Sequence, residues 1–135
     1  MKTVTKQQHH VDVVAGLYEA FNRGDIETIL RSLTPNVDWQ FFTVSLALRG
    51  SRRGPAGVQQ FFQNMVSAYH FDHCTPRRLL ADGNTVVVLG DLRARVNENG
   101  RILEMTFVHV CGMKDGKIDT WRGYEESEKV IEAFS

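Results

Sequence analysis

The chain has 135 residues, 42% hydrophobic and 24% charged, which suits one compact soluble domain with a modest core, read as residues 1–135 with 8–133 structured. Lys and Arg total 16 and Asp and Glu total 16, so the formal net charge is +0. That balance argues against nucleic acid or an anionic membrane surface as partner and mildly favours self-association.

The first ten residues carry no apolar leader, and no apolar run approaches the ~20 residues of a membrane span, so a cytoplasmic protein is expected. Cys74 and Cys111 fit no metal-ligand or redox spacing and read as free, buried thiols. His9-His10 is too short for a metal tract.

In chain order, residues 8–23 (QHHVDVVAGLYEAFNR) carry two apolar stripes at helical spacing: Val11, Val14, Tyr18 and Phe21, then Val13, Leu17 and Ala20. Such a wide apolar arc predicts a helix covered on more than one side. Gly24 ends it, and Asp25 can cap a second helix bearing Ile26, Ile29, Leu30 and Leu33, which Pro35 prevents from continuing. NVDWQFF alternates Val37, Trp39 and Phe41 against its polar positions and predicts a strand. Residues 43–54 read as an irregular segment, basic at Arg49, Arg52 and Arg53. Pro55 opens a helix with Val58, Phe61, Phe62, Met65 and Tyr69 on one stripe.

Four strand-like runs follow: FDHCTPRRLLADG, NTVVVLGDLRARV, GRILEMTFVHVCGM and KIDTWRGYEE. Gly- and Asn-rich turns at 82–84, 97–100 and 114–116 join them as antiparallel hairpins. SEKVIEAF closes as a short helix with Ser127 as its expected cap. The order α-α-β-α-β-β-β-β-α predicts an α+β fold, helices packed on one face of a curved antiparallel sheet.

Three stretches, YEAFNRGDIETILRSLTPNVDWQ, GPAGVQQFF and MKDGKIDTWRGYEE, resemble the SnoaL-like, ketosteroid isomerase-like superfamily that shares the fold of nuclear transport factor 2. Polyketide cyclases, epoxide hydrolases and dehydratases belong to it. The resemblance covers residues 9–133 and implies a cone whose bent sheet wraps around the helices and leaves an internal pocket. It also implies a homodimer through the outer sheet face. The fold hosts many unrelated chemistries, so it does not choose among them.

Matching to that family directs Val37, Trp39, Phe41, Val88, Gly90, Leu92, Trp121, Gly123 and Glu125 inward. On the fourth run it directs Glu104, Thr106, Val108 and Val110 inward and His109 outward. The isomerase acid–base positions then read Phe41, Leu17 and Val108, all apolar, and the charged set of the epoxide hydrolases reads Leu92, Gly90 and Gly123. One step along the helix from Leu17 turns Tyr18 by about 100°, away from the isomerase position. Asp91 lies one residue from a carboxylate position, and only a bulge would turn it inward.

What remains is an aromatic-lined cavity for a small apolar molecule, with Leu17, Trp39, Phe41, Phe62, Met65, Thr106, Val108, Trp121 and Gly123 as its expected walls. Core packing alone is the competing account of those rings. An alternative is a cofactor-free cyclase, isomerase or dehydratase using Glu125 or Glu104 as acid/base, with His73 at the rim; another is a non-catalytic dimerisation module. No cofactor and no metal are expected, and Arg49, Arg52 and Arg53 are candidate rim cations.

Overall fold

The computed structural model describes residues 5–135. Helix α1 (Lys6–Asn22) starts where the Thr5 hydroxyl accepts the Gln8 N–H at 3.0 Å, a cap that local sequence pattern does not single out. It buries Val14, Leu17, Tyr18 and Ala20 together, which bears out the wide apolar arc. The chain then turns through Gly24 at φ +76°, a left-handed conformation that favours glycine. Asp25 caps helix α2 (Ile26–Arg31) by accepting the Thr28 N–H at 3.1 Å. Asn22, just before this turn, donates to the Cys74 carbonyl at 2.8 Å and accepts the Cys74 N–H at 2.9 Å. The Asn-Arg-Gly-Asp run therefore fastens the end of α1 to the sheet while starting the next helix.

Helix α2 ends before Leu33, which opens β1 (Leu33–Phe42) instead of continuing the helix. Segment 43–54, expected to be irregular, contains a short edge strand, β2 (Gly50–Arg53), paired with β1 from Asp38↔Arg53 to Phe41↔Gly50. Helix α3 (Gly54–Ala68) buries Val58, Phe61, Phe62 and Met65. Strands β3 (Tyr69–Asp82), β4 (Thr85–Val96), β5 (Ile102–Lys114) and β6 (Lys117–Glu125) form the antiparallel meander. The sheet order β2-β1-β6-β5-β4-β3 sets β1 beside β6 in parallel, so the sheet is mixed, curved and unclosed. Helix α4 (Ser127–Phe134) is preceded by Glu126, not capped by the Ser127 side chain. The Glu126 carboxylate instead accepts the Thr106 N–H at 2.7 Å.

Strand phase decides what faces the helices. In β4, Val86, Val88, Leu92, Ala94 and Val96 are buried, as their alternation predicts. In β5 the phase is opposite to that expected: Leu103, Met105, Phe107, His109, Cys111 and Met113 are inside, whereas Glu104, Thr106 and Val108 lie on the outer face. Both faces of β5 carry apolar residues, and a one-residue slip in matching the strand exchanges them. In β6, Ile118 and Trp121 are both buried because Gly112 pairs with Thr120 and Met113 with Ile118, leaving Asp119 as a bulge. The Thr34 hydroxyl donates to Asp119 at 2.7 Å and fixes it.

Two glycines make room for rings. A Cβ at Gly123 would overlap the Trp121 indole and crowd Phe41, and one at Gly90 would overlap both the Phe107 ring and the Thr75 carbonyl oxygen. Gly123→Ala and Gly90→Ala are each expected to lower unfolding free energy by about 1–3 kcal/mol in urea titrations. Gly90→Ala should be the more damaging, since a backbone carbonyl cannot swing aside as a side chain can.

Candidate functional site

The inner surface of β1, β6, β5 and β4, with α1 and α3 above it, encloses a cavity of about 60 Å³ with almost wholly apolar walls. Leu17, Tyr18 and Phe21 reach it from α1, Phe61, Phe62 and Met65 from α3, and Trp39 and Phe41 from β1. Leu92, Met105, Phe107, His109 and Trp121 line its strand side with Phe71 and Cys74 from β3, and Tyr124, which is largely exposed, also borders it. The Trp39 and Trp121 indoles stack at 4.1 Å between centroids, 10° from parallel, because the β1–β6 register sets the two residues side by side. Phe61 meets Trp39 at 5.7 Å and Trp121 at 6.1 Å, so a shell of rings holds the pair. Trp121 thereby both walls the cavity and covers Gly123. Neither indole N–H has a hydrogen-bond partner among the described residues, although both are buried.

Within this apolar shell lies one polar pair. The Tyr18 hydroxyl and His109 Nδ1 are 2.5 Å apart, and both side chains are buried. His109 is clasped by aromatic rings, 4.2 Å from Phe107 and 4.5 Å from Trp121 between centroids. Burial pushes its pKa down to about 3, so the imidazole is neutral at physiological pH. Burial, reinforced by the nearby Cys111 and Cys74 thiols, raises the Tyr18 phenol well above its ordinary range, so it stays protonated. The Trp121 N–H lies near enough to the phenol oxygen to favour its ionised form, yet makes no hydrogen bond of ordinary geometry.

A neutral imidazole has one donor and one acceptor nitrogen. The phenol finds no other acceptor among the described residues, so its O–H donates to Nδ1 and the ring proton sits on Nε2. Sequence reasoning missed both members. The rotation of Tyr18 relative to Leu17 does not carry it out of the interior, because the arc of α1 turned toward the cavity is wide enough for both.

The wall positions Leu17, Trp39, Phe41, Phe62, Met65 and Trp121 all line the cavity, and Gly123 lies buried beneath Trp121. Thr106 and Val108 do not, and neither does Glu104, whose carboxylate pairs with Arg93 on the outer face. Glu125 follows the Trp121 phase but stands outside the cavity, accepting the Val44 N–H at 3.2 Å. Burial raises its carboxyl pKa, against hydrogen bonds from Thr43 and Val44 that lower it. Asp91 faces outward, bonded to Arg77 at 2.7 Å, and the adjacent β3–β4 irregularities leave its phase unchanged. His73, also on the outer face, bonds Thr75 at 3.0 Å. Arg52 donates to the Ala47 carbonyl, and none of Arg49, Arg52 and Arg53 lines the cavity. No group of acidic, His and Cys side chains among the described residues is arranged to hold a metal.

The model of the SnoaL-like domain matches residues 14–121, a span running from the first helix to Trp121. The chain belongs to the SnoaL-like domain family. No curated protein matches it. An NTF2-like protein of unknown function from Burkholderia pseudomallei superposes with a TM-score of 0.87 at 26% identity, over 94% of this chain and 98% of that one. TerC, co-crystallized with polyporic acid, superposes at 0.84 and 25% identity, over 93% and 97%. A protein proposed to be a polyketide cyclase, from Xanthomonas campestris pv. campestris, gives 0.83 at 21% identity over 97% and 100%, a likeness of fold.

The cavity of this SnoaL-like domain has no carboxylate among its lining residues, and its single imidazole is held neutral with Nδ1 occupied. It can donate hydrogen bonds from inside an apolar shell; it is poorly equipped to abstract a proton. The buried imidazole also has a consequence for stability. An unfolded histidine titrates near 6.5, whereas folded His109 does so only at about 3, so the unfolded chain binds the extra proton between these values. Stability should fall with pH in that window, with His109 contributing about 2 kcal/mol of loss between pH 7 and pH 5. Urea unfolding of wild type and His109→Phe at both pH values checks this, the variant lacking that share of the slope.

Proposed function

We propose that this SnoaL-like protein binds a small, largely apolar molecule in the cavity beneath the Trp39–Trp121 stack. The observation that carries the reading is the combination of almost wholly apolar walls with two buried indole N–H groups that make no hydrogen bond of ordinary geometry among the described residues. A packed core has no reason to leave such donors unpaired, whereas a binding site does. The cavity volume of about 60 Å³ is below the ~150 Å³ that accommodates benzene in an engineered apolar cavity, so the walls must yield to a guest. Met65 and Met105, unbranched and adaptable, are the wall residues suited to that. That TerC was co-crystallized with polyporic acid supports a ligand-binding use of the shared fold.

The acid/base alternative is weaker on this geometry, since Glu104 is on the outer face and Glu125 is outside the cavity. Toluene is expected to raise the melting temperature of the wild type and to perturb its tryptophan fluorescence. Met65→Trp, which fills the cavity from α3, should abolish both responses while remaining folded by circular dichroism. A wild type indifferent to toluene and to larger arenes would overturn the reading.

We further propose that the outer sheet face pairs with a second copy of the chain. Leu89 pairs with Val108, Val108 with Tyr124 and Tyr124 with Phe42 in one row across four strands. Phe42 and Tyr124 stack at 5.0 Å with nearly half of each side chain exposed, and Val108 is similarly open. A near-continuous apolar row on a chain of zero net charge meets little electrostatic resistance to a copy of itself. Sedimentation velocity should give a dimer for the wild type and a monomer for Val108→Lys, with an unchanged far-ultraviolet spectrum.

A further inference from the structure

The polar groups of the cavity narrow the ligand's chemistry, on the footing of the binding site proposed above. We infer that the cavity selects a ketone, held by its carbonyl oxygen on His109 Nε2–H, and that it binds this ketone without enolising it. Three features converge on that assignment. First, the ring nitrogens of the inner wall that remain without a hydrogen bond of ordinary geometry are donors. Tyr18 occupies Nδ1, and Nε2–H of His109 makes no hydrogen bond among the described residues. Trp121 N–H, near the Tyr18 oxygen but in no hydrogen bond of ordinary geometry, belongs to a ring centred 4.5 Å from the imidazole. A guest that matches them supplies an acceptor and no donor, and a carbonyl does so.

Second, the imidazole is neutral and nine-tenths buried, so it donates from a low-dielectric wall where a hydrogen bond counts for more than in water. The hydrogen bond that Nδ1 accepts from Tyr18 draws the lone pair away and fixes the tautomer, which makes Tyr18 a positioning residue. A neutral aromatic wall also disfavours a carboxylate guest, because it offers no cation. Third, an enolising site needs a base near the α-carbon. The rings around the imidazole are Phe107, Trp121 and Tyr18, and no carboxylate lines the cavity. The cavity polarises a carbonyl and leaves its C–H bonds intact.

Acetophenone and α-methylstyrene have nearly the same shape and differ in C=O against C=CH2, so they isolate the acceptor. Calorimetry on the whole chain should find acetophenone roughly fivefold to tenfold tighter, the yield of one buried neutral hydrogen bond. The infrared carbonyl stretch of bound acetophenone should lie below its position in hexane. His109→Phe should erase the preference and the infrared shift; His109→Gln, which keeps an N–H donor, should retain part of both; Tyr18→Phe should shrink the shift. In D2O the methyl protons of bound acetophenone should exchange no faster than in buffer.

Equal affinity for the two probes, or an unshifted stretch in the wild type, overturns the ketone assignment and leaves the apolar cavity standing. If neither probe binds, the cavity reading falls with it. The stretch is measured on the wild type, so the outcome does not hinge on any variant folding. Methyl exchange above the buffer rate overturns the non-enolising part alone.

Discussion

The face-to-face contact between Trp39 and Trp121 is the constraint on which the interior depends. It exists because β1 and β6 run in parallel with those two residues in register, a pairing between the start and the end of the chain. It further requires Gly123, whose missing side chain leaves the space that the Trp121 ring occupies. Each large ring burial is favourable by some kilocalories per mole, and stacking adds a fraction more. The rings do not fill the interior completely, and a cavity of about 60 Å³, with His109 among its lining residues, remains between them. The cavity is thus the remainder of a packing solution dominated by aromatics, with buried indole N–H groups that make no hydrogen bond of ordinary geometry among the described residues.

His109 shows how an apolar setting changes a residue's capacity. In water an imidazole is a base of moderate strength; here burial keeps it uncharged and a phenol holds its acceptor nitrogen. What remains is a fixed donor, a narrower and more directional role. The nearby carboxylates are engaged outside the cavity: Asp91 is bonded to Arg77, Glu104 is paired with Arg93, and Glu125 accepts the Val44 N–H. The ion pairs are displayed on the convex face, where water screens them and they contribute little to stability.

Much of the architecture was legible in the sequence because local signals and core patterning agreed. Gly24 and Asp25 marked the helix–helix joint, the Gly-rich turns marked the hairpins, and the alternation of Val86, Val88 and Leu92 fixed the phase of β4. The site was legible only where one face of a strand was clearly more apolar than the other. In β5, Val108 and Val110 on the outer face rival Met105 and Phe107 on the inner, and matching the strand by family put the wrong set inside. The residues themselves held the correction: Leu103, Met105, Phe107, Cys111 and Met113 alternate without a charge, whereas the opposite set includes Glu104 and Thr106. His109 falls in the first set, so it followed that phase into the cavity. The bulge at Asp119 and the edge strand at Gly50–Arg53 depend on partners far away in the chain, and local pattern did not reveal them.

The bonds from Asn22 to the Cys74 backbone bear on how anything could reach the interior. Phe21 and Phe71, half-buried and packed edge to face at 5.0 Å, line both the cavity and a groove between the end of α1 and β3. Asn22 lies beside them, adjacent to Phe21 on the helix and bonded three residues beyond Phe71 on the strand. Parting the two rings by moving α1 away from β3 strains both of those hydrogen bonds at once. On the binding proposed above, entry between these rings would require that helix-end movement, so the two Asn22 bonds would slow a guest's exchange.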